Sequence, residues 1–486
     1  MAKKSITKNY IYNLAYQILI ILLPIITTPY LSRVLGAENI GIYSYTLSIV
    51  TYFILFGSLG ISMYAQREIA YVQEDKYKRS KIFWEILILR FITLSISMVI
   101  YYFIYVNGTQ YQMYYRILLI EIIATCFDIS WYFQGMEDFK KTVFRNTLVK
   151  FVSIALIFLL VKKPEDLAKY FIIYVVSNFV GNISLWLYIP KFLDRIKIKE
   201  LQPLMHLKAT IGLFIPQIAI QIYTLLDKVM IGVIIDDKSE VGYYDQAQKI
   251  IKILLTVVTS LGTVMIPRMA NTFANGDMKQ IKEYMKKSFR FVYIISIPMI
   301  FGIIAVSDKF VPIFFGAGYE KVSIIMKVIS PILLIIGLSN AIGSQYLLPT
   351  KRQKEFTISV TCGAITNFII NLMIIRRCGA IGASIGTVIA ETIVTAIQIY
   401  FVRKDINLRE SLNISKNYIM ASILMFVIVV IVGIIIKNNL ASIILQGIIG
   451  VGVYIIILYV IKDEFFMQLM KSVKNKIKRN KTVTEN

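Results

Sequence analysis

The sequence predicts an all-α polytopic membrane protein of about 14 transmembrane helices, in two pseudo-symmetric six-helix lobes plus two C-terminal helices. Three observations predict it: apolar stretches of about 20 residues that recur along the chain, basic residues sorted by connection, and a weak internal repeat.

A hydrocarbon core about 30 Å thick takes roughly 20 apolar residues of helix to cross. Lipid offers no partner to backbone N–H and C=O groups, so open sheets and loose loops cannot replace helices. Qualifying stretches lie near residues 10–35, 41–66, 82–106, 113–134, 142–162, 168–190, 208–235, 242–267, 284–307, 321–348, 355–375, 380–402, 417–437 and 440–461. With 57% hydrophobic residues among 486, these helices use most of the chain and leave nothing long enough for a soluble catalytic domain. The longest polar pieces are the connection 191–208 and the basic tail after residue 461. The first stretch is too long for a signal-peptide core and lacks a small-residue cleavage site, so it is expected to remain as an anchor.

The formal charge is +24. About 36 of the 53 Lys and Arg fall in the two tails and the even-numbered connections, and about 11 near the odd-numbered ones. The positive-inside rule then places both termini of this multi-pass protein in the cytoplasm, and an even number of crossings agrees. The basic side faces anionic lipid headgroups. Nucleic acid is not an expected partner, because the cations are spread over connections and not gathered on one face.

Cys126, Cys362 and Cys378 have no paired spacing, so neither a disulfide nor a metal site is expected. The single His206 is expected at the interface, at the inner mouth of the seventh stretch. The chain has no phosphate-binding P-loop, nucleophile elbow or zinc motif, so it reads as a non-enzyme without cofactor.

The repeat is short but positionally consistent. Gly41-x-Tyr43 recurs as Gly242-x-Tyr244, Ser58-Leu59-Gly60 as Ser260-Leu261-Gly262, and Arg67 as Arg268. Six crossings per unit return the chain to its starting side, giving parallel repeats about an axis along the membrane normal. The expected organisation is 1–204 for the first lobe, 205–404 for the second, and 405–486 for the last two crossings with the tail. Repeated bundles of this kind place substrate at their mutual interface and expose it alternately to the two sides.

Ionisable groups at mid-membrane cost roughly 2.5–3.5 kcal/mol each on insertion scales and normally face a bundle interior or a wet cavity. In chain order, Asn9, Asn13 and Gln17 share one face of the first stretch, and Arg90 stands alone in the third. Glu121, Thr125, Asp128 and Tyr132 share a face of the fourth; Asn146, Lys150 and Ser153 share one of the fifth. Gln217, Gln221, Thr224 and Lys228, beside Asp227, line the seventh, and Asp245, Lys249, Lys252, Thr256 and Thr259 line the eighth. Lys327 in the tenth and Glu391 in the twelfth complete the set. One reading makes these residues glue between helices. The other joins them around a hydrated cavity, which accommodates stripes on at least five helices together. The clustered lysines of the second half would suit phosphate, which lysine holds as a point charge. The acids Glu121, Asp128, Asp227, Asp245 and Glu391 are candidates for a coupling proton or cation. Gly379, Gly382 and Gly386 are expected to allow close helix packing.

Local wording then adds a family resemblance. Residues 28–36, Thr-Pro-Tyr-Leu-Ser-Arg-Val-Leu-Gly, followed by Gly41-Ile42-Tyr43-Ser44-Tyr45, resemble the opening signature of bacterial polysaccharide flippases in the multidrug/oligosaccharidyl-lipid/polysaccharide exporter superfamily. Gln134-Gly135-Met136-Glu137, residues 227–232, Phe315-Gly316-Ala317-Gly318-Tyr319, and Gly382-Ala383-Ser384 leading to Glu391 follow in family order. The resemblance implies two six-helix lobes in a V, and a cargo of undecaprenyl-diphosphate-linked oligosaccharide moved outward for capsule, O-antigen or related polymers. It also implies cationic residues along the cavity, a role open here to Arg33, Lys150, Lys228, Lys249 and Lys252. A polysaccharide polymerase and glycosyltransferases are the implied protein partners. Two rivals stand beside it: a multidrug exporter, which should prefer a carboxylate-rich cavity, and a polymerase or ligase, which should carry a large outer loop.

Overall fold

Apolar runs without backbone partners in lipid must be helical, and every regular element among the described residues is a helix. The computed structural model describes the backbone of residues 6–406, 408–468 and 470–471, with side chains outside 6–18, 20–21, 191, 213, 215–224 and 408–412.

Helix α1 (Ile6–Ser58) is broken at Gly36, whose φ of 78° is open to glycine without a Cβ penalty. Leu59 and Gly60, both at positive φ, separate it from α2 (Ile61–Tyr71). Helix α3 (Lys76–Tyr101) begins at Asp75, which accepts the Lys78 N–H at 3.0 Å, and ends in a π-helical turn, Tyr102–Val106. That bond holds the Asp75 carboxyl below its ordinary range. The fourth expected crossing is split into α4 (Gln112–Cys126) and α5 (Ser130–Gly135), with Asp128 turning back to accept the Ser130 N–H at 3.0 Å. Helices α6 (Phe139–Leu160), α7 (Leu167–Ser184), α8 (Leu207–Ile234) and α9 (Ser239–Thr259) follow.

The later elements repeat the earlier ones. Helix α10 (Gly262–Ala274) follows α9 across Ser260 and Leu261, as α2 follows α1 across Leu59 and Gly60. Helix α11 (Met278–Phe314) begins at Asp277, which accepts the Gln280 N–H at 2.9 Å, as Asp75 does for α3. Helices α12 (Glu320–Ile329) and α13 (Ile332–Ser339) are again a broken crossing, continued by a π-helical stretch, Asn340–Leu347. Helix α14 (Gln353–Val402) is broken at Gly379, φ 55°, and α15 (Leu408–Ile435) and α16 (Asn439–Val460) end the series.

Among the described residues, eleven helical stretches are long and apolar enough to cross a membrane. Two of these, Leu22–Tyr71 and Gln353–Val402, run for 50 residues. At 1.5 Å per residue that is about 75 Å, more than twice a hydrocarbon core. Gly379 divides α14 into 353–378 and 380–402, and Gly36 divides the whole of α1 into 6–35 and 37–58, each long enough to cross. The expectation of about 14 crossings counts these as pairs and adds α8, many of whose side chains lie outside the described set.

The chain forms two compact units, Met1–Asp245 and Gln246–Asn486. In the first, α4 packs on α7 and α3 on α1 around buried Leu35, Val50, Leu94, Leu118 and Phe171. Gly135 lets α5 approach α2 closely: a Cβ there would lie 2.7 Å from the Gln66 carbonyl. We expect Gly135→Ala to destabilise the protein by about 1–3 kcal/mol, read from unfolding in detergent, since neither backbone can yield without moving its helix. In the second unit α11 is central. Its Lys309 donates to the carbonyls of Gly433 and Ile436 and to Ser442 Oγ, and Tyr454 OH bonds the Ile294 carbonyl at 3.0 Å, which ties α15 and α16 to it.

Candidate functional site

Within the first unit several of the polar side chains read from the sequence bond to a neighbouring helix. On α4, Glu121 accepts from Asn178 Nδ2 of α7 at 3.0 and 3.1 Å, one contact to each carboxylate oxygen. Asn182, one turn further along α7, donates to the Ala124 carbonyl at 2.7 Å. The α7 residues Tyr170, Tyr174, Asn178 and Asn182 recur every fourth position, a stripe in the sequence that matches the one on α4.

Arg90 is buried, at 2% exposure, and its guanidinium is fully occupied. Nε donates to the Thr125 carbonyl at 2.9 Å, Nη1 to Ser62 Oγ at 3.1 Å, and Nη2 lies 3.7 Å from Asp128. Arg145 of α6 approaches the same carboxylate from the other side at 3.9 Å and donates to Asn182 Oδ1 at 2.8 Å. Two arginines on one aspartate leave a net positive charge at the break between α4 and α5. Arg145 was not among the sequence candidates, because it sits outside the Asn146, Lys150, Ser153 face.

A second junction joins α8 to α9. Lys228 pairs with Asp245, and the Tyr244 hydroxyl donates to Asp227, two successive rungs between the helices. Beyond them the buried Lys238 donates to the carbonyls of Gly232 at 2.8 Å, Ile235 at 2.9 Å and Asp236 at 3.2 Å, closing the C-terminus of α8. Burial lowers the Lys238 ammonium from its ordinary value, against the pull of Asp236 and Asp237. The repeated glycines meet here. A Cβ on Gly41 would lie 1.7 Å from the Lys238 carbonyl oxygen, and one on Gly242 would lie 2.1 Å from that of Ala37. Each glycine faces the carbonyl four residues before its counterpart, which is the contact expected of two related segments crossing about a local twofold.

The structure changes the standing of three cations. Arg90 and Lys228 are held by partners within the first unit, and Lys327 donates to both oxygens of Asp308 at 2.6 Å. Arg33 and Lys252 are exposed, and Lys150 and Lys249 half-buried; Lys249 contacts Gln246 Oε1 at 3.4 Å. Lys150 has no hydrogen-bond or ion-pair partner among the described residues. The side chains of Asn13, Gln17, Gln217 and Gln221 lie outside the described set. In the second unit Glu391 is buried at 5% exposure on α14. The other half of α14 carries Asn367 and Asn371, both fully buried and bonded to each other at 3.2 Å, which sequence reading missed although their spacing of four in an apolar run marks one face. Gly382 and Gly386 do permit close approach, with Cβ positions 3.0 Å from the Ile374 carbonyl and 2.3 Å from Asn371 Oδ1.

His206 lies immediately before α8. It is buried at 3% exposure, with Nε2 3.1 Å from Glu85 and Nδ1 2.7 Å from the Tyr64 hydroxyl. Glu85 also accepts the Gln202 N–H at 2.9 Å, so this cluster ties the connection before α8 to α2 and α3. Removing the imidazole leaves a buried carboxylate short of a donor. We expect His206→Ala to cost about 2–3 kcal/mol, measured by denaturation in detergent. Among the described residues no group of three or more His, Cys, Asp or Glu is placed to hold a metal ion.

Glycine-broken helices, with ion pairs and amides bonded inside apolar spans, define a polytopic all-helical membrane protein. The chain belongs to the polysaccharide biosynthesis protein family, whose profile matches residues 6–273; a MatE profile matches 213–373. It is 26% identical to a putative O-antigen transporter of Escherichia coli (strain K12), over 83% of this chain and 98% of that one. It is 23% identical to the probable low-salt glycan biosynthesis flippase Agl15 of Haloferax volcanii, over 38% of this chain and 39% of that one. Its fold matches a solved lipid II flippase MurJ in an inward closed conformation with a TM-score of 0.77 and 18% identity, covering 95% of this chain and all of that one. An inward-facing multidrug resistance MATE family transporter gives a TM-score of 0.63 at 12% identity, covering 81% and 96%.

Proposed function

We propose that the protein is a flippase that carries undecaprenyl-diphosphate-linked oligosaccharide from the inner to the outer leaflet by alternating access, for the synthesis of a cell-surface polysaccharide. The observation that carries this reading is membership of the polysaccharide biosynthesis family over more than half the chain, joined to relatives named as O-antigen transporter and flippase. The physics fits. A sugar diphosphate crossing bare hydrocarbon would lose its hydrogen-bond partners, and a wet path lined by polar groups removes that penalty while the prenyl tail stays in lipid.

In this reading there are fourteen crossings, both termini lie in the cytoplasm, and the repeats are 1–204 and 205–404 with 405–486 appended. The connections carrying Lys76, Lys78, Arg79, Lys140 and Lys141 face inward, and those at 36 and 235–238 face outward. Arg33, Lys150, Lys249 and Lys252 are the anion-binding groups. Arg90, Lys228 and Lys327 hold helices in place through their partners. The contact of Gly41 with Lys238 and Gly242 is closed at the outward end and parts when the path opens outward.

Two results are expected. Cells depleted of the protein accumulate lipid-linked repeat units and lose the polymer from their surface; an unchanged surface polymer would rule the reading out. The combined Lys150→Gln, Lys249→Gln and Lys252→Gln variant folds normally but transports at least about tenfold more slowly, since losing one charge-assisted hydrogen bond costs about 1.5–3 kcal/mol. The balance of exposed lysines speaks against a multidrug exporter of cationic cargo, and an efflux assay with organic cations should show no activity.

A further inference from the structure

We propose that Glu121 is a proton-binding site inside the first compact unit, and that the proton it carries is the one coupled to transport. The second half of this statement rests on the flippase reading; the first does not.

Glu121 sits within α4, in the crossing bounded by Gln112 and Gly135, with its side chain half-buried. Its carboxylate is met by a single amide, Asn178 Nδ2, which spans both oxygens at 3.0 and 3.1 Å. Among the described residues no Lys, Arg or His lies within ion-pair distance of it. Two of the other acids considered for coupling in this unit carry a cation: Asp128 lies between Arg90 and Arg145, and Asp245 holds Lys228; Asp227 takes the Tyr244 hydroxyl.

The groups around Glu121 are polar and uncharged. Tyr43 of α1 packs its ring on Tyr170 and Tyr174 of α7, at centroid distances of 4.6 and 5.8 Å, and Tyr174 is one turn before Asn178. From α3, Arg90 reaches only the Thr125 carbonyl, one turn along α4, and its guanidinium is spent on Ser62 and Asp128. Along α4 itself, Thr125 Oγ1 bonds back to the Glu121 carbonyl at 2.9 Å and brings no charge. A carboxylate in a low-dielectric span needs a counter-charge, and with no resident cation a proton from water is the simplest one. Partial exposure gives the proton a route in and out. The amide is suited to both states: Asn178 donates to the ionised carboxylate, and its carbonyl oxygen can accept from the protonated acid after a flip.

The step is a plain proton transfer, from water to Glu121 Oε and back. Loading removes one negative charge from the α4–α7 contact, and unloading restores it, so the two states differ in how α4 is held against α7.

The test is infrared difference spectroscopy of the reconstituted full-length protein across a pH series. Wild type should show a carboxylic-acid C=O band that disappears as pH rises, and Glu121→Gln should lack it. Asn178→Ala, which keeps the acid and removes its amide, should shift the band. In transport assays with a labelled lipid-linked sugar, the wild-type rate should respond by up to about tenfold per pH unit across the titration, and Glu121→Gln by less than about twofold, with Glu121→Asp restoring the response. The same titrating band in wild type and Glu121→Gln would overturn the proposal, as would a response to Na+ and not to pH. A titrating Glu121 in a protein that moves no lipid-linked sugar would refute the flippase reading and leave the proton site standing.

Discussion

Gly41→Val should abolish transport and lower the yield of folded protein, and Gly242→Val should do the same. The Cβ of residue 41 would lie 1.7 Å from the Lys238 carbonyl oxygen and 3.0 Å from Gly242 N, and both are backbone atoms of a helix start that cannot rotate away. Ordinary contact would need α1 and the start of α9 to part by roughly 1.5–2 Å, and overpacking of this kind costs about 1–3 kcal/mol before any loss of the bonds beside it. Those bonds are substantial: Lys238 caps α8 through three carbonyls and lies over the Tyr45 ring, 5.4 Å from its centroid. Gly232 makes the region tighter still, since a Cβ there would fall 2.1 Å from Tyr45 Cδ2. Gly302→Ala is the control. Nothing lies within 4 Å of its added Cβ, so it should leave transport unchanged and, by helix propensity, slightly stabilise α11. Thermal unfolding of the three purified variants separates the outcomes.

Lys228→Met should be the most damaging single change at a charged position, and pairing it with Asp245→Asn should recover much of the loss. The side chain of Asp245 is 4% exposed and that of Lys228 18%, so removing the lysine strands a buried carboxylate inside an apolar bundle. Breaking a buried pair from one side costs about 3–5 kcal/mol, whereas replacing both partners is often close to neutral. Some relief comes from the partial exposure of the lysine, so the lower end of that range is expected. A double-mutant cycle on the unfolding free energy measures the coupling directly. Equal, additive losses would show that the two side chains do not act as a pair.

Residue periodicity tells which side chains share a helix face, and that much was legible. Asp245, Lys249 and Lys252 do lie along one uninterrupted helix, and Glu121 and Thr125 share α4, but the expected face does not run on to Asp128 and Tyr132, because the helix breaks between Cys126 and Ser130. Periodicity does not tell which face of which other helix lies opposite. Periodicity leaves Lys228 and Asp245 open either as a pair gluing helices or as members of two stripes lining a common space, and they prove to be partners across the α8–α9 connection. Arg90 looked isolated because its partners come from two other segments, Ser62 of α2 and, at the end of α4, the Thr125 carbonyl and Asp128. The partners of His206 were hidden for the same reason, as Glu85 and Tyr64 are more than a hundred residues away.

Backbone breaks were legible in part. Gly36 falls between two apolar runs and breaks α1 there, while Gly379 was read as a packing glycine and carries a left-handed break in α14. The short repeat of Gly41 and Gly242 marked the most tightly packed point described in the first unit, because only glycine allows two backbones to approach so closely. Asp75 and Asp277 repeat as helix caps at matching places, a sign that the sequence repeat carries local geometry as well as letters.

The most direct measurement is flipping in proteoliposomes that hold the purified protein and a labelled undecaprenyl-diphosphate oligosaccharide, with the exposure of the sugar to an impermeant reagent followed over time. Protein-containing vesicles should move the labelled sugar between leaflets many times faster than protein-free vesicles, and the Gly41→Val protein should not. Equal rates with and without the wild-type protein, under every imposed pH gradient and membrane potential, would contradict the account.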